Sequence, residues 1–156
     1  MDSTPPVPTL TEIRRAASTL SPYIIRTPLI RLNTADGRSE IFLKLENLQP
    51  IGAYKVRSMA NILLSADKNL LRDGAYTASS GNAGLGLAWM AQKLGIPARV
   101  YAPDSSPAGK LDAIRKFGAE VHLLSAGDWW QLIQDGQHPT DRGLYVDAVR
   151  NPAALA

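Results

Sequence analysis

Residues 75–103 read AYTASSGNAGLGLAWMAQKLGIPARVYAP, and their order decides the fold. Ala75 to Ala78 is a short strand-forming run that ends in the turn Ser79-Ser80-Gly81-Asn82. The apolar spacing then becomes helical, which predicts a helix over Ala83 to Leu94. Gly95 stops that helix, and Pro97 just beyond it cannot continue it. Ala98 to Ala102 reads as the next strand. Strand, helix and strand at this spacing form the unit of a parallel sheet with helices on its faces.

The same alternation extends both ways. Downstream, a helix is predicted over Gly109 to Phe117 with a stop at Gly118, then a strand over Glu120 to Leu124. A helix around Asp128 to Gln134, a turn at His138-Pro139 and a strand at Leu144 to Val146 follow. Asn151-Pro152 reads as the cap and first residue of another helix. Upstream lie a helix over Tyr54 to Ser65, a strand over Ile41 to Leu45, a polar turn over Asn33 to Ser39 containing Asp36-Gly37, and an extended stretch from Ile24 to Leu32. Thr9 or Thr11 can cap a first helix with Leu10, Ile13, Ala16, Ala17 and Leu20 on one face, ended by Ser21-Pro22. Before it, a proline-rich arm to about Pro8 is expected to be disordered. The expected fold class is α/β, a three-layer open parallel sheet with helices on both faces. Ligands of such sheets bind at the carboxyl ends of the strands.

Composition narrows the function classes. The 156 residues carry 17 basic and 14 acidic side chains spread along the chain, with no basic stripe interleaved with aromatics, so nucleic acid is not an expected partner. There is no cysteine, which excludes disulfides, thiolate catalysis and cysteine-ligated metal. His122 and His138 fall on different elements without metal-ligand spacing, so no metal is expected. The first nine residues lack the basic and apolar regions of a signal peptide, and no apolar run reaches membrane-spanning length. A soluble cytoplasmic protein without a membrane partner is the expectation.

Two short stretches could carry chemistry. The turn Ser79-Ser80-Gly81-Asn82 closes a strand and opens a helix, where unpaired amides and the helix dipole favour a carboxylate or phosphate. The plainer reading is that Ser80 or Asn82 only caps the helix. Gly81, Gly84 and Gly86 stand in the order G-x-x-G-x-G, the reverse of the dinucleotide fingerprint, so Gly84 and Gly86 are expected to serve tight helix–sheet packing. Lys55 follows Gly52-Ala53 and opens an amphipathic segment. A lysine amine becomes a nucleophile toward an aldehyde when its ammonium form is disfavoured. By itself Lys55 reads as a solvated helix lysine, and composition and periodicity do not lift it above that.

A run of collinear motifs raises the reading of Lys55. Arg26-Thr27-Pro28-Leu29, Leu43 to Pro50, Tyr54-Lys55-Val56-Arg57, Ser79 to Asn82, Leu94-Gly95-Ile96-Pro97, Pro107-Ala108-Gly109-Lys110 and Phe117 to Val121 together resemble the fold type II (tryptophan-synthase-β-like) pyridoxal-phosphate enzymes, in their threonine dehydratase and serine racemase branch. The resemblance covers Arg26 to Ala156 and implies pyridoxal 5'-phosphate as cofactor. It implies Lys55 as the Schiff-base lysine, Tyr54 packed against the cofactor ring and Asn82 bonded to the ring hydroxyl. Ser79, Ser80, Gly81 and Asn82 are implied to receive the substrate carboxylate, with Ser80 as a second acid/base facing Lys55. Four positions depart from the dehydratase pattern: Ala53 for serine, Ser58 for glycine, Ala83 for histidine and Leu85 for glutamine.

The family also implies a domain plan. Residues 1–8 form the arm, 9–50 belong to the N-terminal part of a large domain, 51–147 form a small α/β domain, and 148–156 begin the remainder of the large domain. The glycine-rich phosphate loop and the residue meeting the pyridine nitrogen are implied to lie beyond residue 156, so a truncated chain, inactive alone, is expected. The implied activity is an ammonia-lyase converting L-threonine, L-serine or a β-substituted relative to a 2-oxo acid and ammonia. The full-length form is expected to be a homo-oligomer. Racemisation and β-replacement are the alternatives within the family. Outside it, the alternative is a non-catalytic remnant or interaction module.

Overall fold

A computed structural model describes residues 7–33 and 39–156 of the chain. The Asp36-Gly37 turn and most of the N-terminal arm lie outside the described residues. Helix α1 (Leu10–Leu20) begins at Thr9, whose side chain accepts from the Glu12 amide while Glu12 reaches back to the Thr9 amide, a capping box. Strands β1 (Leu29–Leu32) and β2 (Ile41–Lys44) pair antiparallel in a separate two-stranded sheet. A 3₁₀ turn at Glu46–Leu48 leads to α2 (Lys55–Ser65).

The regular alternation follows: β3 (Ala75–Ala78), α3 (Asn82–Leu94), β4 (Ala98–Pro103), α4 (Ala108–Lys116), β5 (Glu120–Leu124), α5 (Ala126–Asp135) and β6 (Leu144–Tyr145). A 3₁₀ turn at Pro152–Ala154 stands where the sequence predicts a final helix, with Asn151 accepting from the Ala153 amide as its cap. The sheet order is β5-β4-β3-β6, and every pairing is parallel. The predicted helix stops hold: Gly95 (φ +67°) and Gly118 (φ +84°) both adopt the left-handed conformation that side chains resist.

Period-two alternation divides the sheet into two faces. Ala75, Val100 and Val121 face a core built with Val56, Met59, Leu63, Leu87, Met90 and Ile114 from α2, α3 and α4. Tyr76 and Tyr101 face the other way and pack with Leu132 of α5. Helices therefore cover both faces, giving the three layers expected. Leu20 and Ala153, from the stretches assigned to a larger domain, also pack against the first core.

The second face carries a polar anchor. Asp141 accepts Nε and Nη2 of Arg99, both at 2.6 Å, the Tyr101 hydroxyl at 3.0 Å and the Gly143 amide at 2.9 Å. His122 and His138 stack on Tyr101 at ring-centroid distances of 5.0 and 4.5 Å. The α5–β6 connection is thereby pinned to β4. Among the described residues, no helix is long and apolar enough to cross a membrane.

The hairpin is different in kind. Leu29 is 63% exposed and Phe42 52% exposed, and all eight residues of β1 and β2 are exposed. Two strands alone make a marginal sheet in water. On α1, Ala16 and Leu20 are buried as the apolar face predicts, whereas Leu10, Ile13 and Ala17 remain exposed.

Candidate active site

Lys55 is the first residue of α2. Gly52 turns the chain with φ +71°, and Tyr54 precedes the helix without a side-chain cap. The Lys55 ammonium stands over the Tyr54 ring, 5.2 Å from its centroid. Val56 is fully buried and anchors the turn below, while Lys55 is half-buried.

The other candidate segment closes β3. The Ser79 amide donates to the Tyr101 carbonyl at 2.9 Å, which extends the parallel ladder by one bond. The Gly81 amide then donates to Ser79 Oγ at 3.2 Å and fixes the bend. Helix α3 starts at Asn82, one residue earlier than the apolar period predicts, with Gly81 as its N-cap. No side chain caps it, so the reading in which Ser80 or Asn82 serves only as a cap is not realised. A Cβ on Gly81 would have nothing within 4 Å. The turn thus offers helix-start amides, two hydroxyls and one exposed carboxamide on an open side.

The two segments are joined through backbone. A Cβ on Gly86 of α3 would lie 3.2 Å from the Lys55 carbonyl oxygen and 3.1 Å from Met59 Cγ. Gly86 therefore serves helix–helix approach, a correction to the expected helix–sheet role. Gly84 does serve the sheet: its Cβ would lie 3.0 Å from Val100 Cγ1 and 3.1 Å from the Ser79 carbonyl. Close packing at these glycines sets the start of α2 beside the first turns of α3. Ala83 and Leu85, two departures from the dehydratase pattern, both pack against the core.

Sequence reasoning missed the polar network behind Lys55. Glu46 accepts Arg57 Nε and Nη2 at 2.7 and 2.8 Å, the Thr27 hydroxyl at 2.5 Å and, more weakly, Gln49 Nε2 at 3.4 Å. The Arg57 hydrogen bonds outweigh desolvation and pull the Glu46 carboxyl down to about 2. Gln49, 3% exposed, accepts from the Ile25 amide and donates to the Ile25 carbonyl. Lys44 Nζ donates to the Thr27 carbonyl at 2.6 Å. These partners are 3 to 24 residues apart, and no local pattern announces them.

The donor set fits an aldehyde cofactor carrying anionic groups. It comprises a primary amine at a helix start above an aromatic ring, beside a second helix start with uncapped amides. An open parallel α/β sheet with such a site at its carboxyl edge belongs to the class that binds small ligands at strand ends. The model of the family described as pyridoxal-phosphate dependent enzyme matches residues 20–155, and the chain belongs to that family. It is 39% identical over 149 residues to an L-threonine ammonia-lyase of Geobacter sulfurreducens, covering 94% of this chain and 37% of that protein. It is 35% identical to a serine racemase of Dictyostelium discoideum, over 94% of this chain and 49% of that one. Among solved structures, maize serine racemase superposes with a TM-score of 0.77 at 25% identity, over 91% of this chain and 44% of that one. The crystal structure of the Dictyostelium discoideum serine racemase gives 0.73 at 32% identity, over 83% and 45%. The chain spans less than half the length of these relatives.

Proposed function

We propose that this chain is the lysine-bearing part of a pyridoxal-phosphate-dependent ammonia-lyase acting on a hydroxy amino acid, L-threonine, L-serine or a β-substituted relative. The observation that carries the reading is the juxtaposition of Lys55 with the first turns of α3 through Gly86. Similarity to the Geobacter sulfurreducens ammonia-lyase supplies the reaction class.

Lys55 would hold the cofactor covalently, and its amine would serve as the base that takes the α-proton. Bound there, pyridoxal phosphate supplies an electron sink for the charge left by that proton. Tyr54 would pack against the ring, and the Asn82 carboxamide would bond its hydroxyl. The turn Ser79 to Asn82 holds the substrate carboxylate on uncapped helix-start amides.

Racemisation is the second reading, favoured by the 35% identity to a serine racemase. It needs an acid/base opposite Lys55, and Ser80 is the candidate. Ser80→Ala should then suppress enantiomer exchange and spare elimination in an assembly of family length.

The test on the chain itself is covalent. Pyridoxal phosphate is added, borohydride fixes any adduct, and peptide mapping locates the pyridoxyl group. Label at Lys55 is expected. Label spread over Lys44, Lys110 and Lys116 instead would remove the assignment.

A further inference from the structure

We infer that Glu46 and Arg57 form a positioning device for the Lys55 amine, separate from any group that touches substrate or cofactor. The inference rests on the reading of Lys55 as the attachment point.

The start of α2 has little of its own to fix it. No side chain caps it, and no acidic residue stands in its first turn. Besides the buried Val56, what holds that turn is the side chain of Arg57, two residues beyond Lys55. Its guanidinium forks onto both Glu46 oxygens, at 2.7 and 2.8 Å, and reaches the Ile25 carbonyl at 3.3 Å. Such a two-pronged charged pair fixes orientation as well as distance. Glu46 cannot swing, because the Thr27 hydroxyl holds the oxygen that Arg57 Nη2 reaches. Gln49 ties the same carboxylate to the Ile25 main chain.

Gly86 of α3 also abuts the Lys55 carbonyl. The first turn of α2 is therefore held by the Glu46 carboxylate, by α3 and by the buried Val56. Loosening the carboxylate side lets the Lys55 end of the turn shift about the buried Val56 and moves the lysine amine with it. The buried face of α2, Val56, Met59, Ala60 and Leu63, is made by other contacts and should stay folded.

The experiment compares the chain with Glu46→Gln, which keeps the shape and removes the charge, and with Arg57→Lys, which keeps the charge and removes the fork. Pyridoxal phosphate and borohydride give the share of label at each lysine by peptide mapping. Competitive acetylation without the cofactor gives the intrinsic reactivity of each amine against pH. Amide exchange at Tyr76 and Leu87 reports whether the core is intact. The expected result is a Lys55 share reduced about tenfold or more in both variants, since small misplacements of a reacting group cost that much. Acetylation at the exposed Lys110 and Lys116 should be unchanged, and Tyr76 and Leu87 should stay protected relative to the unfolded chain. Should Lys55 label preferentially in the parent and equally well in both variants, the positioning role is overturned while the attachment reading stands. Absence of preferential label in the parent overturns both. If either variant exchanges at Tyr76 and Leu87 as fast as the unfolded chain, the pair holds the fold and not the lysine, and the inference fails.

Discussion

Asp141→Ala should be among the most destabilising single changes in this chain. The Asp141 side chain is 2% exposed and accepts four hydrogen bonds, two of them from the Arg99 guanidinium at 2.6 Å. Truncation leaves a guanidinium 20% exposed with one remaining bond, to the Asp73 carbonyl at 2.8 Å, and a Tyr101 hydroxyl without its acceptor. Breaking a buried pair from one side costs about 3–5 kcal/mol, and the surviving bond of Arg99 puts this case near about 3 kcal/mol. That is a large part of the about 5–15 kcal/mol that holds a domain together. Urea unfolding followed by circular dichroism measures it. With a slope of about 1–3 kcal/mol/M, the midpoint should fall by at least about 1 M. The double variant Arg99→Met with Asp141→Leu should be more stable than Asp141→Ala, because it leaves no lone buried charge. A cost below about 1 kcal/mol for Asp141→Ala, the range of an exposed pair, would refute the reasoning. So would a double variant less stable than the single one.

Acid should act through Glu46. Its folded carboxyl lies near 2 against the usual 4.5, so the stability it contributes is whole above pH 4.5 and is lost as pH falls through 2. Glu46→Gln should flatten stability against pH between 4.5 and 2 in acid-unfolding curves. Gly74→Ala should cost more than Gly95→Ala in thermal unfolding. Both glycines have positive φ, but a Cβ at 74 would collide with the Pro97 carbonyl oxygen, whereas at 95 nothing lies within 4 Å. Gly95→Ala should cost only the backbone term of about 1–2 kcal/mol, and equal losses would refute the clash. The chain should bind a hydrophobic dye through β1 and β2, and Leu29→Ser with Phe42→Ser should lower that signal; an unchanged signal would place the patch elsewhere.

The central fold was legible because its signals are local. Gly95 and Gly118 mark helix ends by a conformation that only glycine takes without strain, and the strand at 75–78 is bounded by a turn whose residue types announce it. The hairpin pairing was not legible. Runs such as Leu29–Leu32 and Ile41–Lys44 show strand propensity but say nothing of partner or direction, which chain geometry decides. The apolar face of α1 was read correctly as a stripe, yet only Ala16 and Leu20 are covered; periodicity gives the direction of a face and not the extent of its cover. At the site, Lys55 and the 79–82 turn stood out by motif. The Glu46 network lies within the same motifs, but its pairing was not legible, because Arg57 and Thr27 are 11 and 19 residues from Glu46.

The first turn of α3 shows how packing and chemistry divide one segment. Asn82 is exposed, while Ala83 packs against the core. Gly84 admits Val100 and the Ser79 carbonyl, Leu85 returns to the core, and Gly86 admits the Lys55 carbonyl. From 83 to 86, each residue is thus constrained by a neighbour within the fold. The departures at Ala83 and Leu85 replace polar family residues with apolar ones at positions that here contribute apolar contact, and packing accounts for their character. Discrimination among amino acids would then rest on the groups the turn leaves open, the hydroxyls of Ser79 and Ser80 and the carboxamide of Asn82. Ser79 Oγ already accepts the Gly81 amide, so Ser80 and Asn82 are the two with freedom to answer a substrate. Exchanging Ser80 or Asn82 should therefore alter substrate preference, measured as the ratio of kcat/KM for serine and threonine in an assembly of family length, more than restoring histidine at 83 or glutamine at 85, which would set a polar group against the core.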